Sequence, residues 1–73
     1  MRGDEFVDRL KRLARVNDQT FRFDAKRGKG SHGTVWIGNR FAVVPNLRSE
    51  LKKGTMSGIC RSLGVKPQDL FDL

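Results

Sequence analysis

The 73-residue chain has a single cysteine, a single histidine and two prolines. One cysteine excludes an internal disulfide. With no Cys-x-x-Cys spacing, a metal centre built on Cys60 and His32 lacks ligands, so no metal is expected. Cys60 reads instead as a small packing residue on a helix. No apolar run is long enough for a membrane span or a signal-peptide core. The chain is therefore expected to be soluble and cytoplasmic, with no membrane partner and no small-molecule cofactor. Its length fills one domain, residues 1–73, and leaves no room for a second.

Acids are also scarce where it matters. From Lys26 to Arg61 there are eight Lys and Arg residues, and Glu50 is the only acid. That stretch carries the whole net charge of +7. Segregation of this kind points to a polyanionic partner, a nucleic acid or an acidic protein. An anionic membrane fits less well, because no segment is both basic and strongly amphipathic.

Hydrophobic periodicity supplies the elements. Phe6, Val7, Leu10, Leu13 and Ala14 form one stripe of a helix running to Val16. Asp4 is its expected cap, and Asp8 is expected to pair with Arg12. Thr20–Asp24 alternates, with Phe21 and Phe23 on one side, and predicts a half-buried strand. Thr34–Ile37 and Phe41–Val44 predict two more, joined by a hairpin at Gly38-Asn39. Two registers fit. A two-residue loop sets Trp36 opposite Phe41. A three-residue loop sets Ile37 opposite Phe41 and Val35 opposite Val43. The second gathers four apolar residues on one face and is preferred here. Asn46–Lys53 reads as a polar connection. Thr55 is the expected cap of a helix whose stripe is Met56, Ile59, Cys60 and Leu63, and Gly64 is its expected stop. Pro67 opens a short last helix docked by Leu70, Phe71 and Leu73. The class is α+β.

Two clusters carry chemistry. Lys26-Arg27-Gly28-Lys29-Gly30-Ser31-His32 combines cations that attract phosphate with glycines that let a ligand approach main-chain N–H groups. It ends on the one residue type that exchanges a proton readily near neutral pH. That combination suits proton transfer on a phosphodiester. The plainer reading is a flexible basic turn with an incidental histidine. The second cluster, Lys52, Lys53 and Thr55, stands at a helix N-terminus, where the dipole already favours an anion. Its plainer reading is solvated loop lysines. His32 and Trp36 share a strand parity opposite to Val35 and Ile37. Trp36 is thus either a stacking surface for a base or an edge of the core.

In order and spacing these residues resemble a family. Gly30-Ser31-His32 leads into a strand. Phe41-Ala42-Val43-Val44-Pro45 is an apolar strand ending in proline. Glu50-Leu51-Lys52-Lys53-Gly54-Thr55 opens a helix that closes on Ser62-Leu63-Gly64-Val65. This arrangement resembles the HicA toxins of toxin–antitoxin pairs over residues 4 to about 65. The resemblance implies a double-stranded-RNA-binding-domain-like α-β-β-β-α sandwich. It implies metal-independent cleavage of mRNA with His32 as the catalytic histidine, and a HicB-type antitoxin as partner. Lys26, Arg27, Lys29, Gly30, Ser31, Trp36, Lys52, Lys53 and Thr55 are the expected RNA-binding residues. The chain departs from the family pattern in two ways: Asn46 and Leu47 stand where many relatives have a histidine, and Gly33 stands where a larger residue is common. A non-catalytic RNA-binding module of the same fold is the alternative. Residues 58–70 are also similar to the closing helices of helix-turn-helix domains, which would make the chain a DNA-binding regulator. That reading requires helices through residues 17–50.

Overall fold

The computed structural model describes residues 1–25 and 32–71. The elements are α1 (Gly3–Val16), β1 (Phe21–Ala25), β2 (Gly33–Ile37), β3 (Arg40–Val44), α2 (Lys53–Leu63) and α3 (Pro67–Phe71). The three strands form one antiparallel sheet in the order β1-β2-β3. The class is α+β, with a three-stranded open sheet. Strands occupy the span in which a helix-turn-helix would need its recognition helix.

The apolar stripe of α1 is buried as its spacing predicts except at Val7, which is half-buried; Phe6, Leu10 and Ala14 are fully inaccessible. From α2, Met56, Ile59, Cys60 and Leu63 join the same core. The sheet contributes Val35, Ile37, Ala42 and Val44, all of one parity. Fully burying a side chain such as Phe6 or Leu10 contributes about 1.5–3 kcal/mol, so this one face supplies most of the stability. Burial also pushes the Cys60 thiol up to about 11. Cys60 is therefore a packing group, as expected, with no thiolate at neutral pH.

The helix starts differ from the sequence reading. Neither Asp4 nor Thr55 caps: α1 begins at Gly3 after Arg2, and α2 begins at Lys53 after Lys52, with no side-chain cap at either. At α1 the reason is a distant stretch of chain. The Gly3 and Asp4 amides donate to the carbonyls of Ser49 and Leu47, at 3.1 and 2.8 Å. Leu51 N–H donates to the Met1 carbonyl at 2.9 Å. Arg2 and Glu50 form an isolated bridge, and the N-terminal ammonium pairs with the Glu50 carboxylate. The connection after β3 is thus bonded along the start of α1, with Leu51 buried. Backbone carbonyls thus satisfy the first two orphan amides, and the Asp4 carboxylate accepts the Glu5 amide at 2.8 Å.

Both helix ends follow the Schellman pattern. Val65 N–H donates to Cys60 and Gly64 N–H to Arg61, with Gly64 at φ +72° as predicted. In α1 the left-handed residue is Asp18, at φ +55°, with Gln19 N–H bonded to Ala14. The α1 ion pair is Glu5 with Arg9, not Asp8 with Arg12. Arg9 also donates to the Leu70 carbonyl at 3.1 Å, tying α3 to α1. Leu70 docks α3 as expected, whereas Phe71 faces solvent. Leu73 lies outside the described residues.

The hairpin takes the two-residue loop. Ile37 pairs with Arg40 and Trp36 with Phe41, so the three-residue register does not form. Only the first loop residue, Gly38, has positive φ, at +59°. That is the pattern of a type II′ turn, whose twist matches the strands. The turn chemistry outweighs the gain from gathering four apolar residues. Ala42 and Val44 consequently face the core, while Phe41 and Val43 face out.

Candidate nucleic-acid interface

Strand parity gives the sheet two unlike faces. The inner one is covered by the helices. On the outer one, register aligns Arg22, Trp36 and Phe41 in one row and Asp24, Thr34 and Val43 in the next. None of the described elements covers this face: Phe41 is 61% and Val43 51% exposed. The Arg22 guanidinium lies 4.3 Å from the Trp36 ring centroid. Trp36 is half-buried, so it belongs to the outer face, with its base packed by neighbours. A cleft of about 360 Å³ lined by Thr20, Phe21, Arg22, Trp36 and Gly38 opens beside this row.

His32 stands immediately before β2 and is exposed. By parity it shares the outer face with Thr34 and Trp36, as the sequence predicts. What fixes the start of β2 is the neighbouring glycine. A Cβ on Gly33 would meet the Phe23 ring, 2.5 Å from its Cζ, and the Leu47 side chain at 3.4 Å. The ring of Phe23 therefore lies over Gly33, a cross-strand aromatic cover of a glycine. This accounts for a glycine where the family resemblance leads one to expect a larger residue.

The lysine cluster stands at the start of α2. Arg40 opens β3, and its side chain lies against Gly64, the stop of α2: a Cβ there would be 3.0 Å from Arg40 Nε. The C-terminal end of α2 therefore lies at the start of β3. Lys52 and Lys53 are exposed, Thr55 is half-buried, and no acid occupies the first turn of α2. The first turn of α1 carries Asp4 and Glu5 instead. No acid in that turn offsets the positive end of the α2 dipole, and two cations stand beside it.

His32 stands before β2 on the outer face, and Lys52, Lys53 and Thr55 stand at the start of α2, which packs on the inner face. Trp36 lies on the outer face toward the hairpin end. Lys26, Arg27, Lys29, Gly30 and Ser31 lie outside the described residues. Sequence reasoning missed Phe41, Val43 and Arg22, because the preferred register turned Phe41 and Val43 inward. The available signal was Gly38 at the first loop position. Among the described residues no helix is long and apolar enough to cross a membrane. No family model, curated protein or solved structure matches the chain.

Proposed function

We propose that the chain is a HicA-type toxin: a metal-independent endoribonuclease that cuts mRNA and is neutralised by a HicB-type antitoxin. The double-stranded-RNA-binding-domain-like sandwich is part of this reading, and the α-β-β-β-α order with helices on one sheet face supports it. The observation that carries the reading is an exposed histidine at the head of β2, in a chain whose α2 opens on the exposed cations Lys52 and Lys53 with no acid in its first turn.

The chemistry follows from that histidine. One group removes the proton of a ribose 2′-hydroxyl, and the 2′-oxygen bonds to phosphorus. The bond from phosphorus to the 5′-oxygen breaks, and an acid returns a proton to that oxygen. The products are a 2′,3′-cyclic phosphate and a 5′-hydroxyl. His32 serves as the base or the acid of this pair. Lys29 or Lys53 stabilises the charge that develops on phosphorus.

The wild-type protein should cut single-stranded RNA in EDTA and leave cyclic phosphate ends. Intact RNA under those conditions would leave the non-catalytic module as the better reading. Binding should rest on the lysine cluster. Replacing Lys52 and Lys53 together by Ala should flatten the dependence of log affinity on log salt by up to about 0.7 per lost phosphate contact on a single strand. An unchanged slope would remove both lysines from the interface.

A further inference from the structure

The outer face of the sheet has the chemistry of a base-stacking surface. Phe41 presents an open ring, and Arg22 lies over Trp36 at 4.3 Å. Guanidinium planes and aromatic rings both accept nucleobases. Asp24 is the only acid among the strand residues of this face. Other occupants fit less well. Three strands of five residues make a flat face only about 16 Å by about 14 Å, a small footprint for a stable protein interface. A second copy would also set Arg22 rows and two chains of net charge +7 against each other.

We propose that this face binds unpaired bases of single-stranded RNA, one on Phe41 and one over the Arg22–Trp36 pair. The proposal deepens the ribonuclease reading and rests on it for the direction of the strand. His32, Thr34 and Trp36 lie along β2 at alternate positions. Four residues of strand separate His32 from Trp36 by about 13 Å. RNA whose phosphate is held at the His32 end then extends along β2 with its bases laid on the aromatic row. A duplex keeps its bases inside its own stack and has nothing to offer Phe41. The substrate class is therefore RNA with unpaired bases flanking the scissile phosphate.

The test is the affinity of labelled RNA for three proteins in a His32→Ala background, where cutting does not interfere. These are the background itself and its Phe41→Ala and Phe41→Trp derivatives. Phe41 is exposed, so neither change disturbs the core. Loss of one stacked base should raise the Kd of Phe41→Ala for a single strand by about 5- to 150-fold. Phe41→Trp should retain affinity, and the salt slope should stay constant across the three. A duplex, or an abasic strand of equal length, should bind the background protein and its Phe41→Ala derivative alike. Equal single-strand affinity for Phe41→Ala and its parent would overturn the proposal, as would tight abasic binding. So would a protein partner that alone senses the Phe41 change. The two readings fail separately. A wild type that binds bases through Phe41 but never cuts refutes only the ribonuclease. A wild type that cuts while Phe41→Ala binds normally refutes only the stacking face.

Discussion

His32→Ala should lower RNA cleavage by about 10²–10⁴-fold, the usual contribution of a positioned acid–base group. The same protein should fold and bind. His32 is exposed, and its removal should change stability by no more than about 0.5 kcal/mol, as at ordinary surface positions. On the proposed reading, binding rests on Lys and Arg charges and on base contacts that the substitution leaves in place. Toxicity on expression should vanish with the chemistry. The opposite pattern, a lowered melting temperature with cleavage intact per folded molecule, would make His32 a structural residue. Melting, binding and cleavage measured on one preparation separate the two. A folded mutant that cuts at the wild-type rate would end the proposed mechanism.

The exposure of His32 was legible because its parity is opposite to that of Val35 and Ile37, which face the core. The elements were legible because their apolar residues keep period: Phe6, Leu10 and Leu13 in α1, and Val35 and Ile37 in β2. Gly64 was legible because a stop needs its φ. What escaped depended on residues far apart in sequence. Asp4 and Thr55 look like caps locally. For Asp4, no local pattern shows that Leu47 and Ser49 will satisfy the first amides of α1. Phe41 and Val43 look like core, since an apolar strand carries no mark of which parity faces in. That was decided by one turn residue, and with it the composition of the open face. Phe71 reads as a docking residue by hydrophobicity alone, yet α3 is too short to bury both it and Leu70.

The start of α1 carries the largest expected effect on stability. Gly3 lies against the chain that follows β3. A Cβ there would meet backbone, 2.7 Å from the Asn46 carbonyl carbon and from Leu47 Cα. A flexible side chain can move aside, but these atoms are fixed by the bonds from Gly3 and Asp4 to Ser49 and Leu47. Gly3→Ala must open that seam or displace α1 from its core contacts. Overpacking costs about 1–3 kcal/mol where side chains can adjust, and backbone adjusts less, so about 3 kcal/mol is expected. A domain of this size has on the order of 4–10 kcal/mol in all. The melting temperature should fall by about 12–24 °C at about 4–8 °C per kcal/mol. The seam also leads directly into Lys52 and Lys53, so RNA affinity at low temperature should fall with it. Gly58→Ala is the control: it sits inside α2 with nothing within 4 Å of a new Cβ. There the better helix propensity of alanine should raise stability by about 0.5–1 kcal/mol. Thermal denaturation of both variants should therefore move in opposite directions. A Gly3→Ala protein that melts within about 2 °C of wild type, on the scale of about 4–8 °C per kcal/mol, would show that the seam yields and does not hold α1 in place.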